Sequence, residues 1–263
     1  TLAADLARGT LVPYLGPGLM ADPSPVPVAP ETLALALHQR FPAPARVRAN
    51  MWSVAQFIEQ RRHRKTLIAA MAEIFAAPVA PTALQRKLAA LRLPLVVDTW
   101  YDGAARAALA GTDFVEIQGI TRALEFGDVW TRAYRPDGAV ATDAEVAAAR
   151  TVLYKPHGAI TPAANFLVAD SDYVEVLTEI DIQTPIPAIV RDLRAPRGFL
   201  FLGCRFHDQM LRTFARQIAK RSAGEHVALV GTEEPTKNEL KFYAELGVTV
   251  LALPLGELEA RLG

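Results

Sequence analysis

Cysteine is nearly missing: Cys204 is the only one in 263 residues. That excludes an intramolecular disulfide and any Cys-rich zinc module. An excess of charge of either sign is missing too. Twenty-eight basic residues balance 28 acidic ones, so the chain lacks the global field of a nucleic-acid binder. Direct nucleic-acid binding is not expected, local patches aside. No apolar run reaches the ~18 residues of a membrane span. The Ala-rich, charged start lacks the n-region and cleavage pattern of a signal peptide. A reducing cytoplasm is the simplest compartment these absences leave. Repeats of fixed period are absent as well.

Apolar residues are plentiful, at 51% of the chain, enough for one large core or a main core with a subdomain. They gather in short continuous runs at 11–15, 93–97, 114–117, 151–154, 198–202, 226–230 and 248–253. Continuous rather than alternating runs predict parallel strands covered on both faces. Helical stretches separate many of them. One continues from a cap at Asp208 to 221, and another, over 236–246, comes after Pro235 and stops at Gly247. The strand–helix alternation from 198 to 253 implies a Rossmann-like α/β fold, a mostly parallel sheet with helices on both faces. Residues 31–91 interrupt it with helices expected over 31–41, 53–77 and 82–91, punctuated by Pro42, Pro44, Pro78 and Pro81. The expected organisation is a Rossmann-like domain of residues 1–30 and 92–263, with 31–91 a small helical module packed beside it as a lid or a structural layer. A short helix is expected over 143–150.

Several residues at expected strand ends carry chemistry. Gly16, Pro17 and Gly18 come after the first run, with Leu19 and Met20 next. A glycine turn opening a helix offers N–H groups and a helix dipole to a pyrophosphate, or is simply a tight turn; Pro17 removes one donor. His157, before Gly158, is either a packed histidine or a base that takes a proton from a ribose hydroxyl or a water. Asp98, Thr99 and Asp102 come after the second run, and Asp102 either faces a pocket or caps the next helix. Gly203, Cys204 and Arg205 come after the fifth run. Arg205 can reach a phosphate, whereas Cys204 reads as small and buried. Thr232 and Glu233 either meet an adenosine ribose or cap a helix. The run Arg61-Arg-His-Arg-Lys65 reads as a solvated helix face or turn.

Taken in order, these segments resemble the sirtuin superfamily, and more closely its zinc-free bacterial branch, often associated with NAD hydrolysis. Leu11-Val-Pro-Tyr-Leu-Gly-Pro-Gly-Leu-Met20 resembles the family's Gly-Ala-Gly-x-Ser turn after an apolar strand. Thr99-Trp-Tyr-Asp102 resembles Thr-Asn-Tyr-Asp, and Tyr154-Lys-Pro-His-Gly158 is similar to Lys-x-His-Gly. Asp170-Ser-Asp-Tyr-Val-Glu175 resembles the family's next helix start, and Phe201-Leu-Gly-Cys-Arg-Phe-His-Asp208 resembles the Gly-Tyr-Ser-x-x-Asp segment. The resemblance spans residues 11–253. It implies NAD or ADP-ribose across the strand ends, no zinc, a general base at His157, and room for a homo-oligomer or protein partner.

The chain departs from the pattern where the chemistry belongs. Trp100 stands where the family has its catalytic Asn, and an indole N–H donates but cannot accept. Met20 replaces the Ser of the glycine turn, and Cys204-Arg205 replaces a small hydroxyl pair. Gly16, Gly18, Asp102, His157, Gly158, Gly203 and Asp208 remain. The resemblance thus implies a nucleotide-binding protein with degenerate catalysis, in which His157 and Asp102 are the surviving catalytic candidates. One alternative is an active NAD hydrolase in which Asp98, Thr99 or Asn165 replaces the amide. Another is a sirtuin-fold interaction module without nucleotide. A lysine deacylase has the least support.

Overall fold

The computed structural model describes residues 1–20, 23–121, 129–179 and 186–262. The first apolar run forms β1 (Leu11–Leu15). Next in chain order come β2 (Leu95–Asp98), β3 (Phe114–Gly119), β4 (Thr131–Tyr134), β5 (Thr151–Lys155), β6 (Gly158–Ala159), β7 (Asn165–Phe166), β8 (Gly198–Leu202), β9 (His226–Leu229) and β10 (Val248–Leu251). Eight of these make one sheet in the order β10-β9-β8-β1-β2-β5-β3-β4. Every neighbouring pair in it is parallel except β3–β4. The α/β, Rossmann-like architecture expected from the continuous runs is the one found. The antiparallel edge strand β4 and the two-residue pair β6–β7 are additions. β4 carries no continuous apolar run, because an edge strand buries little on its outer side.

β1 is central and fully buried, yet it contains Pro13, which has no N–H to give a ladder. The sheet accommodates it asymmetrically. β1 pairs with β8 over its whole length, from Leu11↔Gly198 to Leu15↔Leu202. Pairing with β2 begins only at Tyr14↔Val97.

The helices are α1 (Leu2–Ala7), α2 (Pro30–Arg40), α3 (Met51–Arg62), α4 (Arg64–Ile74), α5 (Ala83–Ala90), α6 (Ala104–Ala108), α7 (Asp143–Ala148), α8 (Asp170–Glu179), α9 (Ala188–Arg194), α10 (Gln209–Ala219), α11 (Lys237–Leu246) and α12 (Leu255–Arg261). Local signals explain several ends. Thr82, Thr142 and Thr236 each accept the N3 N–H in a capping box, Asp208 caps α10, and Gly247 closes α11 in the left-handed conformation. The single helix expected over 53–77 is two helices, broken at His63 (φ 70°). The segment 31–91 also divides between the two sides of the sheet. Leu33, Trp52, Ile58 and Met71 of α2–α4 join the core cluster that includes Tyr14, Phe199 and Phe214. Leu84 and Leu88 of α5 instead pack with Leu6, Leu200 and Leu258.

The two loops that leave β1 and β8 touch backbone to backbone. A Cβ on Gly16 would lie 2.5 Å from the Gly203 carbonyl oxygen, and one on Gly18 would lie 2.8 Å from it. Gly203 has φ +64°, and a Cβ there would sit 2.3 Å from the Leu19 nitrogen. Only glycine permits that approach. Replacing Gly203 with Ala is therefore expected to destabilise the fold by about 1–3 kcal/mol. Urea denaturation would show this as a lower midpoint at an unchanged slope.

Candidate functional site

The carboxyl ends of β1, β2, β5 and β8 open into one cavity of about 290 Å³. β1 lies between β2 and β8, so the cavity occupies the switch point where ligands bind in open α/β sheets. Each strand contributes the residues just past its carboxyl end: Gly16–Gly18 from β1, Thr99–Tyr101 from β2, His157 from β5, Gly203–His207 from β8. Glu233, beyond β9, stands at the same cavity.

Of the residues singled out in the sequence, Gly16, Pro17, Gly18, Thr99, Trp100, His157, Gly203, Cys204, Arg205 and Glu233 line this cavity. Asp102, Leu19, Met20 and Thr232 are not part of its lining. Asp102 is buried and accepts the Ala104 N–H at 2.7 Å, while its carbonyl accepts from Lys155 Nζ at 3.0 Å. Its carboxylate thus holds the first N–H of α6, whose N-cap residue is Gly103. Leu19 packs with Leu15 and Leu202 in the core, and Met20 packs against the other cluster. Asn165 accepts from the Thr121 N–H at 3.4 Å and donates to the Gly119 carbonyl, away from the cavity lining. Gly158 has φ +76° and would place a Cβ 2.2 Å from the Asn165 carbonyl oxygen. It serves the β6–β7 pairing rather than a ligand.

The glycine turn does not have the form expected for a phosphate cradle. Pro17–Leu19 is a single 3-10 turn. The Gly16 N–H donates to the Leu202 carbonyl at 2.9 Å, and the Gly18 N–H donates to the Gly203 carbonyl at 2.9 Å. The Leu19 and Met20 N–H groups donate back into the turn, to Gly16 and Pro17 at 3.2 and 3.1 Å. Pro17 has no N–H. The donors of 16–20 are all engaged within the protein.

Aromatic rings dominate the remaining wall. Tyr14, Trp52, Tyr101, Tyr173 and Phe206 line it together with Trp100 and His157. No sequence signal singled out Trp52, which arrives on α3 from a distant segment. Tyr14 carried a weak signal, as the last-but-one residue of a strand leading to a glycine turn. The Trp100 indole is buried, and its N–H donates to the Pro27 carbonyl at 2.7 Å. That bond ties the segment before α2 to the end of β2. His157 is buried, with Nδ1 3.2 Å from the Tyr173 hydroxyl and its ring 4.5 Å from that of Phe214. Burial, reinforced by the nearby Lys155 ammonium, pushes its pKa down to about 3. His157 is therefore neutral at physiological pH, the form in which one ring nitrogen can accept.

Behind the cavity, Lys155 Nζ pairs with Asp98 at 2.5 Å, both buried. Burial raises the Asp98 carboxyl above its ordinary value despite the opposing Lys155 charge. Asp98 is thus engaged in an internal pair, and Thr99 donates its hydroxyl to the Leu15 carbonyl at 2.8 Å. Cys204 is buried, with Sγ 3.4 Å from the Tyr14 carbonyl, and burial raises its thiol pKa far above the usual range. It is an inert packing residue by that criterion.

The mouth carries the charge. Arg205 meets the buried Glu239 through Nε and Nη2 at 3.0 and 3.2 Å, and meets the exposed Glu233 through Nη1. Burial alone would raise the Glu239 carboxyl, but Arg205 and the Thr236 and Phe206 N–H groups bring it down to about 2. His207 forms a 2.6 Å pair with Glu31 at the start of α2. The Glu31 hydrogen bond raises the His207 pKa, and the same bond lowers that of Glu31. Among the described residues, no group of three or more His, Cys, Asp or Glu side chains could hold a metal. None of the described helices is long and apolar enough to cross a membrane.

The Glu31–His207 pair joins α2 to the loop after β8, and the two shifts set its pH dependence. The His207 contribution is fully present below the unfolded value of ~6.5 and is lost as pH rises through the raised folded value. The Glu31 contribution is present above ~4.3 and is lost as pH falls through its lowered folded value. Glu31→Gln is expected to bring the His207 titration, monitored by imidazole NMR, back toward ~6.5. An unchanged titration would show that the pair does not form in solution.

Residues 94–251 match the family described as SIR2-like domain. No curated protein matches the chain.

Proposed function

The chain belongs to the SIR2-like family, and on that premise we propose that it binds NAD or ADP-ribose at the β1–β8 cavity without cleaving it. It is read as a degenerate member of the zinc-free branch. One observation carries this reading: the Trp100 indole lines the cavity and is fixed to the Pro27 carbonyl. In the resemblance its position is that of the amide that orients the ribose or the water. An indole anchored through its only donor offers a reactant no hydrogen bond at all. His157 keeps the neutral form a base requires, so the loss falls on orientation rather than on the base. Mispositioning of that kind costs about 10²-fold in rate.

The residues present fit the ligand unevenly. The aromatic wall suits a planar base, and a volume of about 290 Å³ is near the lower limit of ~300 Å³ for small-molecule sites. The glycine turn offers no N–H to the phosphates, so Arg205 is the group that would hold one. Its Nε and Nη2 are fixed by Glu239, and its Nη1 faces the exposed Glu233, which a phosphate would displace. When bound, NAD would supply the nicotinamide–ribose bond as the reactive element.

A second reading is favoured by the engagement of every donor in residues 16–20: a sirtuin-fold interaction module without nucleotide. Proton NMR of NAD with the purified protein separates the two. Saturation transfer without free nicotinamide supports binding without cleavage. Neither signal leaves the interaction module, and nicotinamide release abolished by His157→Ala makes the protein an enzyme. Trp100→Asn is expected to raise nicotinamide release about 10²-fold over the parent chain. If the variant binds NAD and releases none, Trp100 is not what blocks the reaction. Glu233→Gln is expected to tighten ADP-ribose several-fold by calorimetry while leaving adenosine unchanged. Equal effects on both ligands would remove Arg205 from the phosphate role.

A further inference from the structure

The overall charge of zero conceals a segregation. Residues 31–91 hold nine basic and three acidic side chains, a net +6, whereas the other residues hold 19 and 25, a net −6. Part of the basic excess is structural. Arg64 is buried against Glu59 and Asp172 at 2.7 and 2.8 Å, so that member of the basic run is a core ion pair rather than a solvated side chain. Arg61 and Arg62 are different. Both are exposed, and among the described residues neither forms an ion pair.

These two arginines share a concave groove of about 520 Å³ with Arg40. Arg40, Phe41 and Pro42 come from the end of α2 and the residues after it, and Phe57, Ile58, Arg61 and Arg62 from α3. None of these lining residues is acidic. Arg40 donates from Nη1 to the Ala36 carbonyl at 3.3 Å and makes a loose 3.6 Å contact with Glu73, whose side chain is 71% exposed. The Arg61 guanidinium lies 5.9 Å from the Phe57 ring centroid. A guanidinium over a ring keeps its charge and presents a flat outer face.

We propose that this groove binds single-stranded nucleic acid, independently of any ligand in the β1–β8 cavity. Three arginines lining one groove match phosphates along a strand. Phe41 and Phe57, each only partly buried against the core, leave part of a ring beside the arginines for an unpaired base to stack on, a combination that suits single strands better than duplexes. A recessed aromatic floor is out of reach of a flat bilayer. An acidic peptide would satisfy the arginines and leave the rings without a partner. The groove and the cavity share α3. Trp52 lines the cavity, and Arg61, nine residues on, is about 14 Å further along the helix. A bound strand would therefore run beside the cavity without entering it.

The test is fluorescence anisotropy of a labelled 12-nucleotide oligothymidylate with the full chain over a series of salt concentrations. Binding is expected, with a slope of log K against log salt of about −2, three phosphate contacts at roughly −0.7 each. The exposed double substitution Arg61→Gln, Arg62→Gln should weaken binding at least tenfold and bring the slope to about −0.7. Phe57→Leu keeps apolar packing and removes the ring. It should weaken binding roughly fivefold or more without changing the slope. Circular dichroism melting confirms that each variant is folded. The proposal is overturned by no binding at low salt, by affinity indifferent to the arginine substitutions, or by a Phe57→Leu variant that binds like the parent. Equal competition by polyglutamate, or equal binding to phosphatidylserine vesicles, also overturns it.

Discussion

The close approach of two backbone turns is what the site depends on. The turns after β1 and β8 meet where Gly16 and Gly18 face Gly203, with hydrogen bonds from Gly16 to Leu202 and from Gly18 to Gly203. That contact draws the ends of the two strands together and sets one wall of the cavity. It also engages the N–H groups that a glycine turn would otherwise turn toward an anion. The same glycines that mark a phosphate site in a sequence here mark a chain-to-chain contact, and the physical difference lies only in what stands opposite them.

Charge is arranged in two layers around this contact. Beneath the cavity, Lys155–Asp98 is a buried pair, and Arg64 joins Glu59 and Asp172 between α3, α4 and α8. Buried pairs of this kind are weak sources of net stability but are costly to break singly. They fix how the helices seat on the sheet. At the mouth, Arg205, Glu233, His207 and Glu31 are partly solvated and exchangeable. Between the layers, the cavity wall is aromatic and His157 is held neutral. A site of this composition favours ring stacking and offers a ligand charge only at its entrance.

Most of the fold was legible in the sequence. Seven continuous apolar runs became the seven parallel strands of the sheet, because a strand buried on both faces must be apolar at consecutive positions. Asp208 and Gly247 marked helix ends, because capping is satisfied within three or four residues. Where the pattern was local but weak, it failed. The break at His63 carries no proline or glycine, and β4 has no apolar run.

The site was legible in position and less so in role. The sequence alone determined that Gly16–Gly18, Trp100, His157 and Gly203–Arg205 sit just after strands, and parallel strands bring their carboxyl-terminal loops to one edge. Only the tertiary structure decided the rest: that Leu19 and Met20 turn into the core, that Trp52 completes the wall, that Glu239 and Glu233 hold Arg205, and that the glycine turn donates to β8. The reason is the same each time. A strand or a cap is satisfied by near neighbours in the chain. The partner of a side-chain charge or of a free N–H can lie far away, as Glu239 lies 34 residues from Arg205 and Leu202 lies 186 from Gly16.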